Sequence, residues 1–262
     1  MFAQSVFVEI LKYNHTMDTE QYKSFKIKNT TIKIKIFPNM AEPSEGYTQF
    51  LLNQLNSTGK TALDLGCGTG ILAIALAKQD FETVYAVDIH EDYIAATQYN
   101  AELNDVSEQV IALKSNLFEA IPTDTRFDLM VANLPATPAW DNIPLYSRAG
   151  EDGRDLIDAM LHQAPHWLIP EGRIQFTQSS RISPETTMAL MSQIGYAYDE
   201  PMSQVIKCKQ HRYFELYPQY FQQLLNANRI YVENGVIFEW VYLFQSIAKK
   251  ELVRTKKSKH YR

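Results

Sequence analysis

The chain has 262 residues, 45% of them hydrophobic, and 25 Lys/Arg against 30 Asp/Glu give a net charge of −5. That length holds one large α/β domain with a real core. No apolar run is long enough for a membrane span, and the start MFAQSVFVEILKYNH lacks the basic flank and small-residue cleavage site of a signal peptide, so a cytoplasmic location and no membrane partner are expected.

The two cysteines, Cys67 and Cys208, have no metal-ligand spacing and cannot make a disulfide framework; both read as reduced thiols, and no metal is expected. Charge is unevenly placed. Residues 249–262, KKELVRTKKSKHYR, hold seven Lys/Arg and one Glu, which is +6 in a chain of −5, so the remainder carries −11. The acidic body argues against a broad nucleic-acid footprint and for a small-molecule or peptide substrate. The basic tail could meet RNA, DNA or another acidic surface, or simply stand in water.

Residues 1–13 are apolar with irregular helical spacing. KSFKIKNTTIKIKIF then alternates lysine with Phe25, Ile27, Ile32, Ile34 and Ile36 about Asn29-Thr30, the pattern of a β-hairpin with one buried and one solvated face. Residues 1–45 therefore read as a helix and hairpin annex. From Tyr47 the pattern becomes helix and strand in alternation. YTQFLLNQL is a helix, KTALDLGCG a buried strand, ILAIALAKQ a helix, TVYAVDI a strand and YIAATQYNAELND a helix. QVIALKS and FDLMVAN follow as strands, then the helix RDLIDAMLHQAPHWL and the strand GRIQFTQS.

Strands interleaved with helices of this length make βαβ units. Residues 46–248 are expected to form one doubly wound, Rossmann-like α/β domain, its sheet mostly parallel with an antiparallel final strand, VIFEWVYLFQSI. Within it, about 205–230, lies an aromatic insertion, read as the single helix HRYFELYPQYFQQLLNANR. Tyr213, Phe214, Tyr217, Tyr220 and Phe221 have the spacing of a core face, and Tyr213 and Tyr217 are also candidate walls of a substrate pocket.

The string ALDLGCGTGILAIALAK decides the class of chemistry. A buried strand ends at Asp64, then Gly66, Gly68 and Gly70 remove side chains at a strand-to-helix turn. A ligand can lie against bare backbone there, near a helix N-terminus that favours negative charge. Asp88 ends the next strand about 20 residues on, where a carboxylate can accept both hydroxyls of a ribose. The spacing Gly66-Cys67-Gly68-Thr69-Gly70 fits GxGxxG poorly. With Asp64 before it, the string resembles the first motif of the class I S-adenosylmethionine-dependent methyltransferases, DxGxGxG, and the likeness extends over roughly residues 40–200. The resemblance implies S-adenosylmethionine as cofactor. Asp64, Gly66, Cys67, Gly68 and Gly70 would hold its methionine part, Asp88 and Ile89 the ribose side, and Asn116 and Leu117 the adenine edge.

Flanking segments resemble the release-factor glutamine methyltransferase group. FPNMAEPSEGYTQFLLNQL is similar to the Pro-Ser-Glu segment before their first motif, and AGEDGRDLIDAML to the segment after their acceptor motif. Where that group has Asn-Pro-Pro-Tyr, this chain has Asn133-Leu134-Pro135-Ala136. An amide is a poor nucleophile because its lone pair is delocalised, so the group's asparagine and a neighbouring carbonyl hold its N–H bonds while the aromatic ring stacks on it. Asn133 and the carbonyl at Leu134, beside Pro135, keep the first role; Ala136 cannot stack, unless Trp140 or Tyr146 replaces the ring.

These residues imply methyl transfer to an amine or amide nitrogen of a small molecule or peptide. RNA, DNA or a translation factor is an alternative acceptor. A third reading dispenses with an acceptor: the cofactor's aminopropyl arm closes on its own amine, giving azetidine-2-carboxylate and methylthioadenosine.

Overall fold

The computed structural model describes residues 21–55, 59–138, 144, 147–208 and 211–248. The expected helix over 1–13, Trp140, Tyr146 and the basic tail lie outside them, as does the side chain of Tyr213.

Strands β1 (Gln21–Ile27) and β2 (Thr30–Ile36) pair antiparallel, Ile27 opposite Thr30. The reversal falls on Lys28-Asn29, one residue earlier than the alternation suggests, and Lys28 takes a positive φ of 47°. The expected apolar row faces inward: Phe25, Ile27, Ile32, Ile34 and Ile36 are all buried. The lysine row is engaged locally. Lys23 pairs with Glu42, Lys33 lies over the Tyr22 ring, and Lys35 lies near the rings of Phe37 and Tyr99.

The main body then runs α1 (Tyr47–Asn53), β3 (Thr61–Leu65), α2 (Ile71–Ala77), β4 (Thr83–Asp88), α3 (Glu91–Leu103), β5 (Val110–Lys114) and β6 (Phe127–Ala132). It continues with α4 (Asp155–Gln163), β7 (Leu168–Ser179), α5 (Pro184–Ile194), β8 (Ala197–Tyr198) and β9 (Met202–Lys207). Helices α6 (His211–Leu216) and α7 (Pro218–Asn226) precede β10 (Ile230–Glu233) and β11 (Val236–Ile247). Strands β3 to β7 are parallel, in the order β5-β4-β3-β6-β7, and β11 closes against β7 antiparallel, as expected. Short strands β8, β9 and β10 also pair antiparallel with β11.

Period-two alternation divides the core. Ala62, Val84, Ala86, Leu129 and Val131 face a layer made by α1, α2, α3 and the hairpin. Leu63, Leu65, Val87, Met130 and Phe176 face the layer of α4 and α5. The hairpin is thus one of the covers of the sheet rather than an appendage, which explains its full inward row of isoleucines.

The aromatic insertion is two helices instead of one. Pro218 has no amide hydrogen to donate and disfavours helical backbone at the residue before it, so the chain breaks at Tyr217 and restarts with proline at the first helical position. Its apolar residues build a small core of their own, Phe214, Leu224 and Ile230 with Cys208, against which Tyr220, Phe221 and Leu225 pack.

Candidate functional site

The site lies along the carboxyl ends of the parallel strands, where the sheet order sets side by side the ends of β4, β3, β6 and β7, with β11 beyond. A cavity of about 590 Å³ follows this edge.

On the β3–β4 side the glycine string does what its composition suggests. Gly66, Gly68 and Gly70 all take positive φ (74°, 53° and 85°), a conformation unstrained only for glycine. A Cβ on Gly68 would meet nothing within 4 Å, so its bare backbone faces open space, whereas one on Gly66 would sit 2.7 Å from Leu134 Cδ2. Amides of Gly66 and Cys67 both donate to the Val87 carbonyl, at 2.8 and 2.9 Å, pinning the loop to β4. Thr97 on α3 donates its hydroxyl to Gly68 O at 3.0 Å, and Asn100, one turn later, donates to Thr69 O at 3.0 Å.

Asp88 accepts from the Gly68 amide at 3.1 Å through one carboxylate oxygen and from the His90 amide at 3.0 Å through the other. Each oxygen keeps a lone pair for a ligand hydroxyl. Ile89, 54% exposed, and Asn116 and Leu117 join Asp88 in the cavity wall. The turn carrying them is set by Ser115, whose hydroxyl donates to Leu117 O and accepts from Ala120 N. The Asn116 carboxamide donates to Glu119 at 3.0 Å.

Asp64 stands elsewhere than the motif implies. It is fully buried behind the loop, outside the cavity wall, and one oxygen accepts from the Ala73 amide in the first turn of α2 at 2.9 Å. Its other oxygen has no hydrogen-bond partner among the described residues. Burial pushes the carboxyl up to about 7, the Ala73 bond opposing and the Asp88 charge adding. Burial likewise pushes the Cys67 thiol up, with Asp64 and Asp88 adding, so this buried thiol stays protonated. These groups fit S-adenosylmethionine. The exposed glycine backbone and the Asp88 oxygens would hold its amino-acid and ribose parts, and Asp64, an acidic group without a full set of partners, would favour positive charge above it.

On the β6–β7 side Asn133, Leu134 and Pro135 reach the cavity together. The Asn133 carboxamide is clamped: its oxygen accepts from the Thr177 hydroxyl at 2.9 Å and its nitrogen lies 3.4 Å from Thr48 Oγ. Thr137 pairs with the chain near Ser147 and Ala149, which brings Ser147 and Arg148 over the same space. Gly153 allows this return, since a Cβ there would lie 2.8 Å from the Ala136 carbonyl. Tyr217, by contrast, is outside the cavity wall formed by the described residues, because its segment packs into the separate core around Phe214.

Sequence reasoning passed over four residues on this side. Arg181 Nε donates to Glu239 at 2.9 Å and to Ser179 Oγ at 3.0 Å, while the Ser179 hydroxyl donates to Glu239 at 2.5 Å. The two charged side chains are only 6% and 3% exposed. Tyr47, Ser179 and Arg181 line the cavity. One signal was available: Glu239 is the only charge in the apolar strand VIFEWVYLFQSI, and a carboxylate placed there must be paired.

Residues 46–158 match the family model of ribosomal protein L11 methyltransferase (PrmA). The chain is 30% identical over 171 residues to a candidate protein N5-glutamine methyltransferase of Methanocaldococcus jannaschii, a match covering 63% of this chain and 85% of that one. It is 40% identical over 105 residues to the ribosomal protein L11 methyltransferase of Histophilus somni, covering 40% of this chain and only 34% of that relative's length. Among solved structures, a methyltransferase from Pyrococcus furiosus aligns with TM-score 0.51 at 16% identity, over 83% of this chain and 89% of the other. A 16S rRNA methyltransferase of T. thermophilus, in complex with AdoMet and guanosine, aligns with TM-score 0.54 at 18% identity, over 89% of this chain and 52% of the other. At these identities the two structures speak for the fold.

Proposed function

The chain belongs to the class I S-adenosylmethionine-dependent methyltransferases, and from that premise we propose that it methylates an amide nitrogen on a peptide or protein side chain held beside Asn133. The cofactor supplies a methyl group made electrophilic by its sulfonium. What this chain supplies is position. Asn133 Oδ1 has a second lone pair beyond the one that Thr177 engages, and with the Leu134 carbonyl it can accept the two N–H bonds of a primary amide. Thr177 donates to the oxygen and Thr48 faces the nitrogen, so the carboxamide is held with its accepting end fixed.

The observation that carries the reading is this clamped carboxamide in the same cavity as Asp88 and the glycine loop. Fixing a weak nucleophile in line with the methyl group can supply about 7 to 11 kcal/mol of the barrier. The name of the Methanocaldococcus relative, a glutamine N5-methyltransferase, agrees with an amide acceptor. Ala136 gives the acceptor no ring to stack on, so hydrogen bonds must do more of the holding here.

The test is product identity. Methyl-labelled S-adenosylmethionine and glutamine-containing peptides should yield labelled peptide and S-adenosylhomocysteine. Methylthioadenosine, formed without any acceptor, would replace this proposal with cyclisation of the cofactor; label in RNA but not in peptide would replace the acceptor.

A further inference from the structure

Beyond Asn133 the cavity wall ends in a polar cluster drawn from three distant parts of the chain. Tyr47 opens α1, Ser179 and Arg181 follow the carboxyl end of β7, and Glu239 lies in β11 two residues from Val241, which pairs with Ser179. Every one of these side chains has a different hydrogen-bonding state. The Ser179 proton is committed to Glu239, and Glu239 also receives Arg181 Nε. The Tyr47 hydroxyl is shielded from water and lies beside Glu239, Arg181 and Ser179; Ser179 and Arg181 are near enough to oppose the rise that burial imposes on it, but neither closes a hydrogen bond of full geometry with it. A buried hydroxyl without a partner is costly, and a native protein keeps one where something else completes it.

We propose that Tyr47 and Arg181, with Ser179 and Glu239 behind them, form the recognition end of the acceptor site and select an uncharged group through its carbonyl oxygen. This rests on the amide-nitrogen reading above and names the groups that read the acceptor.

The chemistry of the cluster sets the selection. A guanidinium has donors only, and a phenol held protonated by burial donates as well, so the groups turned to the cavity offer hydrogens. Arg181 is already neutralised by Glu239 at 2.9 Å. A carbonyl oxygen adds no charge to that balance. A carboxylate would add a second negative charge beside the buried Glu239, where unpaired charge is heavily penalised. The sheet order places the cluster on the far side of Asn133 from the glycine loop. An acceptor can therefore present its nitrogen to Asn133 and its carbonyl to Tyr47 and Arg181.

Tyr47→Phe is the discriminating variant, because the hydroxyl it removes completes no hydrogen bond of full geometry in the fold. Calorimetry would measure binding of two capped residues, N-acetylglutamine methylamide and N-acetylglutamate methylamide, to the protein saturated with S-adenosylhomocysteine. The expected result is at least about 10-fold preference for the glutamine probe in the native protein, and a loss of about 3- to 10-fold for that probe in Tyr47→Phe. Affinity for S-adenosylhomocysteine should stay unchanged, and the thermal midpoint should hold or rise, because a costly buried hydroxyl is removed. Equal binding of the glutamate probe, binding of neither probe, or an undiminished glutamine affinity in Tyr47→Phe would each overturn the assignment. Repeating the incubation with S-adenosylmethionine separates the two claims. A glutamine probe that binds and is not methylated overturns the amide-nitrogen reading alone; one that is methylated with no contribution from Tyr47 overturns the cluster alone.

Discussion

The two halves of the cavity are built in opposite ways. The half over β3 and β4 comes mainly from one continuous string, Leu65 to Thr69, plus Asp88, and it presents backbone. The half over β6 and β7 is lined by the side chains of Tyr47, Asn133, Ser179 and Arg181, with Thr177 and Glu239 holding them from behind, six residues scattered through most of the chain. A site for a constant cofactor can be written as a short motif because a turn and three glycines suffice. A site for a variable acceptor is assembled by tertiary packing, and its stability depends on charges that must find each other.

The sharpest way to break this contrast is at the ion pair. Glu239→Gln keeps the shape and takes from the buried Arg181 the counter-charge at 2.9 Å, which costs about 3 to 5 kcal/mol. Denaturant unfolding should show that loss. A loss under about 1 kcal/mol, the level of an exposed pair, would mean that the acceptor half does not depend on it.

The cofactor half carries its own buried charge, and pH reads it. The Asp64 carboxyl lies at about 7 in the folded protein against 3.8 when free. Between those values the folded state holds a proton that the unfolded state has lost. Folding is therefore favoured most at the acid end, and the advantage is lost as pH rises through about 7. Each pH unit in the window is worth about 1.4 kcal/mol, so the total is a few kcal/mol. Thermal midpoints of the cofactor-free protein and of Asp64→Asn, measured from pH 4 to 8.5, should diverge, with the variant gaining on the native protein as pH rises. Parallel curves would remove the buried charge from the account of this loop.

Asp88 holds the glycine loop and the turn at His90 through two backbone amides, and the ribose role expected of it is tested by removing the carboxylate. Asp88→Ala removes a carboxylate that would accept ribose hydroxyls, each charge-assisted bond being worth about 1.5 to 3 kcal/mol. Affinity for S-adenosylmethionine should fall about 10- to 100-fold by calorimetry. Unchanged affinity would take the ribose away from Asp88.

Legibility in the sequence follows the same division. The parallel strands, the antiparallel last strand and the buried face of the hairpin were readable because each is a local periodicity with one residue type inside, as in Ile32, Ile34 and Ile36. The tight turn at Gly66 and Gly68 was readable because a turn next to a strand end is local too. The motif does not show that Asp64 also accepts from the Ala73 amide, nine residues on, in the first turn of α2. Arg181 and Glu239 are 58 residues apart in sequence and carry no local pattern that joins them. Aromatic density alone does not say which of two cores it serves: Pro218 breaks the helix, and the segment that carries Tyr217 packs around Phe214 and Leu224.

The smallest effect tests where the two architectures meet, at Asn100 on α3 and Asn104 just past its end. Residues 33 and 35 of β2 turn their backbone groups away from β1, an edge that would otherwise stand unpaired. Asn104 accepts from Lys33 N at 3.1 Å and donates to Lys33 O at 2.8 Å. Asn100, one turn earlier, accepts from Lys35 N at 2.8 Å and donates to Lys35 O at 3.2 Å. Side-chain amides thus replace a neighbouring strand. Asn100 alone also donates to Thr69 O in the glycine loop, at 3.0 Å. Asn104→Ala and Asn100→Ala should therefore cost similar stability, about 1 to 2 kcal/mol each. Only Asn100→Ala should also weaken S-adenosylmethionine, by about 3- to 10-fold. If both variants weaken the cofactor equally, the whole hairpin supports the loop; if neither does, the loop is held by its bonds to Val87 and Thr97, and the hairpin serves only as a cover for the sheet.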